Sequence, residues 1–336
     1  MSKIIVIVPN WNGADSLAQC LDSLMVQTIE TNVLVVDNGS VDKSLKIVKK
    51  YSDVKLIKNS KNRGFAGGVN AGFRFAIDNN YDYVASLNND AVVGQEWLAK
   101  LVESLDNNKN IGIATSKILN KDGNHIDSTG DFYTVWGLAY PRGRKETNLS
   151  LYDKSVNVFG GSGGASLYRV SMLKQIGLFD EAFFAYYEDV DLSFRAQLGG
   201  WKVRFVPSAV VYHQIGATSS KIKGFTTYHT MKNLPLLLVK NVPRKYIYKL
   251  AWRFNLAYLF FIISAIIKGR FWSCTKGLVK ALALLPRAYF QRRQIQTTRI
   301  VPDHYIWSII VHDLPPNARM LRVLRYNWWQ LKKRGI

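Results

Sequence analysis

Within the first 90 residues, four short apolar runs alternate with stretches of helical periodicity: Lys3–Pro9, Asn32–Val36, Val54–Ile57 and Tyr83–Leu87. Each run is of strand length and rich in branched residues, and reads as a buried strand. Leu17, Leu21 and Leu24 recur at helical spacing after the first run, and Leu45 and Val48 after the second. A Gly-rich segment after the third opens a helix that reaches about Asp78. Strands separated by helices cannot pair as hairpins; they need crossover connections and a parallel sheet covered on both faces. The expected fold class is therefore α/β, with a Rossmann-like, mostly parallel sheet and helices on both sides.

Polar clusters fall where these strands end. Asn10-Trp11-Asn12-Gly13 follows the first run and Asp37-Asn38-Gly39-Ser40 the second. Asn62-Arg63-Gly64-Phe65-Ala66-Gly67-Gly68-Val69-Asn70 follows the third, and Asn88-Asn89-Asp90 the fourth. In open α/β sheets ligands bind at this edge. Taken singly, Asp37 is also a good helix N-cap and the Gly-rich loop also a tight turn. The glycines do not follow G-x-G-x-x-G, so the loop is not a dinucleotide fingerprint. Four clusters on one edge point to a binding site.

The stretch Lys121–Asn157, which carries Asp127, Ser128, Thr129 and Gly130, is less regular and reads as a hairpin or flap. Gly160-Gly161-Ser162-Gly163-Gly164 allows close backbone approach to a ligand, a mobile flap or a plain loop. Next comes an aromatic run to Tyr187, and then Glu188-Asp189-Val190-Asp191. Acids this close raise one another's pKa, and a carboxylate at an aromatic-walled pocket can accept a proton near neutral pH. A solvated helix N-terminus accounts for the same acids through the helix dipole. Trp201–Val206 and Ala209–Tyr212 read as two further strands, the second ending in His213.

Six segments in series resemble glycosyltransferase family 2, with its GT-A fold, and within it the bacterial rhamnosyltransferase-like branch. They are Val8–Gly13 (V-P-N-W-N-G), Val36–Asp42 (V-D-N-G-S-V-D), Asn62–Gly72, Leu87–Asp90 (L-N-N-D), Gly163–Arg169 and Gly177–Arg195. The resemblance implies a nucleotide-sugar pocket formed by Pro9, Asn10, Asn12, Asp37 and Asn38, with Arg63, Gly64, Phe65 and Asn70 closing over the nucleotide. It places Asn88, Asn89 and Asp90 where many relatives carry Asp-x-Asp, with Asp90 as ligand to Mg²⁺ or Mn²⁺ and His213 as a further metal or diphosphate contact. Asp189 becomes the general base for an acceptor hydroxyl, with Glu188 and Asp191 orienting the acceptor or tuning the base. Asn88 stands in place of the first acid of Asp-x-Asp, and Asn38 in place of the second acid of Asp-Asp-Gly-Ser. Both replacements occur in the rhamnosyltransferase-like branch and lean towards a dTDP-sugar donor. The implied activity is inverting transfer of a sugar to a lipid-linked glycan; a UDP-hexose donor, or a silent sugar- or lipid-binding scaffold, are the alternatives.

Charge divides the chain. The formal net charge of +21 is almost wholly C-terminal: residues 1–221 carry 24 Lys/Arg and 22 Asp/Glu, residues 222–336 carry 21 and 2. We therefore expect a catalytic domain over 1–220 and a basic, amphipathic helical region over 221–336. Leu256–Ile267 gives twelve residues without a charge, about 18 Å of helix against a hydrocarbon layer of about 30 Å, which favours an in-plane helix over a span. Trp252, Trp272, Trp307, Trp328 and Trp329 among the basic residues suit interfacial anchors on an anionic membrane surface. No nucleic-acid-binding module is recognisable. Cys20 and Cys274 lack metal or disulfide spacing. The first strand begins at Lys3 with no cleavage site before it. The expected location is thus cytoplasmic, peripheral to the inner face of the plasma membrane.

Overall fold

The computed structural model describes residues 2–214, 222–316 and 318. Its elements run β1 (Ile4–Asn10), α1 (Ala14–Met25), β2 (Asn32–Asp37), α2 (Ser44–Val48), β3 (Val54–Lys58), α3 (Gly64–Asp78), β4 (Tyr83–Leu87), β5 (Ala91–Val93) and α4 (Trp97–Asp106). They continue with β6 (Ile111–Asn120), β7 (Ile126–Ser128), β8 (Asp131–Tyr133), β9 (Ala139–Pro141), β10 (Val156–Val158), β11 (Ala165–Arg169), α5 (Val170–Ile176), α6 (Glu188–Leu198) and β12 (Lys202–His213). Four helices close the described chain: α7 (Phe225–Asn241), α8 (Arg244–Ile267), α9 (Phe271–Thr298) and α10 (Asp303–Ile309).

The main sheet has the order β10-β12-β6-β11-β4-β1-β2-β3, with β5 on β12 and β7 on β6. Its first four strands are parallel, as the alternation with helices demands. Beyond β4 the sheet is mixed, because β11 lies antiparallel to both β4 and β6. Successive side chains of a strand point to opposite faces. Val6 and Val8 accordingly join the core under α1 and α4, while Ile5 and Ile7 join the core under α3, α5 and α6. The irregular middle stretch forms the β8–β9 hairpin. Where two strands were expected near the end of the sheet, β12 is continuous, with a register shift between Val206 and Val210 that absorbs Pro207 and the residues after it. A bulge keeps the ladder going where proline cannot donate to it.

A third core unites the basic helices with the sheet domain. Phe183, Val190, Phe194 and Leu198 pack with Leu234, Leu237 and Leu238 of α7, Leu250 and Phe254 of α8, Ala288 of α9 and Ile306 of α10. At its centre Asp191 is fully buried. Its Oδ2 accepts from Arg195 Nε at 3.0 Å and from Lys240 Nζ at 3.0 Å, and its Oδ1 accepts from Asn241 Nδ2 at 2.8 Å. Lys240 also reaches Asp180 at 2.9 Å, which Arg287 of α9 meets at 2.8 Å. Burial opposes the charge on Asp180 and Asp191, but the Lys240 ammonium outweighs it and holds both carboxyls below the ordinary range.

Helix α8 is twice as long as the charge-free core suggested, with 24 residues. That is about 36 Å, and α8 is the one helix among the described residues long and apolar enough to cross a membrane. One side of it is nevertheless packed on protein: Phe254 lies against Gly137, Tyr246 stacks on Trp307 with ring centroids 4.7 Å apart, and Tyr258 donates to Met231 O. Trp328 and Trp329 lie outside the described residues.

Removing a cation from a buried pair leaves an uncompensated charge and costs about 3–5 kcal/mol. Lys240→Ala should lower the unfolding free energy by that amount in urea titrations at neutral pH. Because both carboxyls titrate below their ordinary range, the parent's advantage should persist above about pH 4 and fade as pH falls further.

Candidate active site

A cleft of about 790 Å³ opens along the edge where β1, β2 and β4 end. Pro9, Asn10, Asn38, Gly64, Phe65, Asn88, Asn89 and Asp90 line one half of it. Glu188 and Asp189 at the start of α6 line the other, and His213 closes the end of β12. Asn12, Asp37, Arg63, Asn70 and Asp191 do not line it.

Those five residues brace the site instead. Asp37 lies behind Asn10, accepting from its Nδ2 at 3.1 Å and from the Ser40 backbone N–H at 3.0 Å. Asn12 accepts from the Val41 N–H at 2.9 Å and ties the two strand-end turns together. Arg63 donates to Glu181 at 2.7 Å. Asn70 brackets Phe179, donating to its carbonyl at 2.9 Å and accepting from its N–H at 3.0 Å. Asp191, expected to orient the acceptor or tune the base, points away from the cleft: its oxygens are consumed by Arg195, Lys240 and Asn241, on the side of α6 that faces α7.

The acid pair is presented by a contorted backbone. Phe184, Tyr186 and Tyr187 have φ of 63°, 67° and 71°, a left-handed region that bulky residues adopt only where the surroundings impose it. Here α7 imposes it. Asn233 Nδ2 donates to the carbonyls of Phe183, Ala185 and Tyr186 at 3.0, 2.9 and 2.8 Å, and Lys232 Nζ donates to Ala182 O and Phe183 O at 2.6 and 3.0 Å. Gly64 completes the fit from the other side. Its φ is +72°, and a β-carbon there would sit 2.3 Å from Phe184 O.

Asp189 accepts from the Gly163 N–H at 2.9 Å through Oδ2 and from the Val190 N–H at 2.8 Å through Oδ1. The double-glycine loop therefore approaches the acid itself: a β-carbon on Gly163 would fall 3.3 Å from Asp189 Cβ. Burial lifts the Asp189 carboxyl above its ordinary range, against these two N–H donors. Glu188 is buried, its Oε2 has no hydrogen-bond partner among the described residues, and burial followed by the charge of Asp189 pushes its carboxyl well up. Of the two, Asp189 is the better anion, because N–H donors favour the charged form.

At the far end, His213 Nε2 is 3.1 Å from Asp90 Oδ1, and Nδ1 is 2.9 Å from Asp127 Oδ2. Burial works against the imidazolium, but the bonds to Asp127 and Asp90 prevail and raise its pKa to about 9. Among the described residues no group of three or more His, Cys, Asp or Glu is spaced to hold a metal. Asp90 and His213 still fit a two-ligand site: adjacent oxygen and nitrogen donors suit Mg²⁺ or Mn²⁺, and a carboxylate on the other ring nitrogen is the usual support of a metal-binding histidine.

Two cleft acids were not among the expected site residues: Asp127, read only as part of a hairpin or flap, and Asp131. Asp131 is buried beside Asp189, and burial, then the Asp189 charge, pushes its carboxyl well up. The available signal was the run Asp127-Ser128-Thr129-Gly130-Asp131, two acids bracketing turn residues.

Residues 5–177 match the family model for Glycosyl transferase family 2. The chain is 30% identical over 169 residues to a low-salt glycan biosynthesis hexosyltransferase, Agl10, of Haloferax volcanii. That match covers 49% of this chain and 52% of the relative, so this chain spans about half the relative's length. It is 29% identical over 231 residues to an N-acetylglucosaminyl-diphospho-decaprenol L-rhamnosyltransferase of Mycobacterium tuberculosis, covering 62% of this chain and 75% of that one. Among solved structures, the mannosyltransferase PcManGT of Pyrobaculum calidifontis, in complex with GDP-Man and Mn²⁺, superposes with a TM-score of 0.54 at 16% identity, over 92% of this chain and 86% of that one. At that identity the likeness is one of fold, the GT-A fold.

Asp127→Asn removes one of the two anions that stabilise the imidazolium. The His213 pKa should fall from about 9 towards its ordinary 6.5, read from imidazole carbon shifts in an NMR pH titration.

Proposed function

The chain belongs to glycosyl transferase family 2, and from that premise we propose that it is an inverting glycosyltransferase that passes a sugar from a nucleoside-diphosphate donor to a hydroxyl of a lipid-linked glycan. The observation that carries this reading is Asp189. It is a half-buried carboxylate fixed by two N–H donors, and it shares one cleft with the strand-end residues Asn10, Asn38 and Asp90. Rhamnose from dTDP-rhamnose is the favoured donor, supported by the similarity to the mycobacterial rhamnosyltransferase.

Asn10, Asn38 and the Gly64–Phe65 turn would hold the nucleoside at the strand ends. Asp189 Oδ takes the acceptor proton as the hydroxyl oxygen bonds to the anomeric carbon and the anomeric C–O bond to the diphosphate breaks, with inversion. Asp90 and His213 would hold a divalent cation, which neutralises charge on the departing diphosphate. Glu188, protonated more readily than Asp189, would donate to or accept from the acceptor ring. The enzyme would work peripherally at the cytoplasmic face of the membrane, where such acceptors are presented.

A donor screen by thermal shift and slow hydrolysis, with Mg²⁺ or Mn²⁺, should single out dTDP-rhamnose; a response to a UDP-sugar alone would keep the mechanism and discard the rhamnose assignment. Asp189→Asn should retain donor binding and lose about 10²–10⁴ in rate; turnover at the parent rate would remove Asp189 as base. Because its carboxyl titrates above the ordinary range, the acid limb of kcat/KM should lie above about pH 4, with activity lost as pH falls through it. Asp90→Ala should weaken nucleotide binding in Mn²⁺ and leave metal-free binding unchanged, by titration calorimetry.

A further inference from the structure

The outward side of α8 is apolar from Tyr248 to its C-terminal end. Tyr248, Trp252, Leu256, Leu259, Ile263 and Ile267 recur at helical spacing, and all are exposed, Tyr248 by 80% and Ile267 by 76%. The opposite side, Tyr246, Leu250, Phe254, Ala257 and Ala265, is buried against the protein. The apolar stripe continues past the α8–α9 turn into Phe271 and Trp272, the latter 72% exposed. A soluble surface rarely leaves so long an apolar patch uncovered. Its borders are cationic: Lys245, Lys249 and Arg253 along the first half of α8, and Lys268, Arg270 and Lys276 around the turn. No acid occurs on α8, on α9 or in the turn between them.

The same corner adjoins the mouth of the cleft. Gly224, which starts α7, packs so closely on Ser273 that a β-carbon there would fall 2.1 Å from its Oγ, and Arg270 reaches Thr227 at 3.4 Å. The segment entering α7 and the helix's first turn form a cleft wall: Ile222, Phe225 and Thr226 line it, and Phe225 meets Phe184 and Tyr186 at ring distances of 6.4 and 6.0 Å. The exposed corner thus abuts the start of α7 through Ser273 and Arg270, and Phe225 carries the contact on to the aromatic loop that precedes α6.

We propose that the outer stripe of α8 and the α8–α9 corner form a docking face for an anionic lipid bilayer, and that this face sets the α7 lip of the cleft at the lipid surface. The helix lies in the membrane plane with its stripe in the acyl boundary and its lysines and arginines at the headgroups. Tyr246, Leu250, Phe254, Ala257 and Ala265 on its inner side pack on protein, which favours an in-plane helix over one wrapped by lipid. A lipid-borne acceptor would then enter past Phe225 and Tyr186 without leaving the membrane; that last step rests on the proposed function, whereas docking does not.

The test is flotation of the full-length protein with phosphatidylcholine vesicles, with or without phosphatidylglycerol. The parent should float with the anionic vesicles, and 0.5 M NaCl should release it. Leu259→Asp/Ile263→Asp should abolish flotation with an unchanged melting temperature and unchanged nucleotide binding. Lys268→Glu/Arg270→Glu, which leaves the apolar stripe intact, should weaken partitioning by about 30-fold or more, from the contribution of two basic residues near anionic lipid. Flotation of the Asp variants at the parent level would overturn the proposal. So would a parent that is dimeric by sedimentation and becomes monomeric on Leu259→Asp, since a second copy would then cover the stripe. Resistance of the vesicle-bound parent to alkaline extraction would equally overturn in-plane docking. None of these readouts requires sugar transfer, so they stand or fall separately from the enzymatic reading.

Discussion

The site depends on one clamp. Three consecutive-range residues, Phe184, Tyr186 and Tyr187, hold a left-handed backbone that none of them favours, and the amide of Asn233 with the ammonium of Lys232 binds four of the carbonyls that this twist turns inward. The strain is offset by charge-assisted and amide hydrogen bonds from a helix more than 40 residues downstream. What the twist achieves is aim: α6 begins abruptly at Glu188, with Asp189 directed into the cleft and Asp191 directed into the core. The same helix α7 then receives Asp191 on Lys240 and Asn241. Its middle and its C-terminal end thus secure the entry and the first turn of α6 respectively.

Much of this was legible in the sequence, though unevenly. The strand runs, the switch from helical spacing to polar strand ends, and the acids after the aromatic run located one edge of one sheet. Position along that edge did not reveal direction. Asp37 and Asn38 are neighbours, yet Asn38 borders the cleft while Asp37 stands behind Asn10. Asp189 and Asp191 sit two positions apart, and a helix rotates such residues by about 200°, enough to send one to solvent and the other to Lys240. What periodicity could not supply was the partner at long range. Asp127 meets His213 across 86 positions, and Lys240 meets Asp180 across 60.

The basic C-terminal region also looked uniform in the sequence and is not. Lys232, Lys240, Arg287 and Arg292 are spent on carbonyls and carboxylates inside the protein. Burial depresses Lys232 to about 8. Lys245, Lys249, Arg253, Lys268, Arg270 and Lys276 instead border the exposed stripe of α8 and its turn. Net charge counts these two populations alike, although one fastens the helices to the acid-bearing loop and the other faces outward.

The contact between Gly64 and Phe184 joins the two halves of the cleft. Ala66 N–H donates to Phe184 O at 3.1 Å, so the loop that opens α3 and the loop that opens α6 share a backbone hydrogen bond at a point where no side chain fits. The two walls of the cleft are therefore not separable cassettes. A chimera that grafts the first three strands of a relative onto this chain inherits a seam between residues 64 and 184, and it can succeed only where the incoming loop brings a glycine with the same handedness.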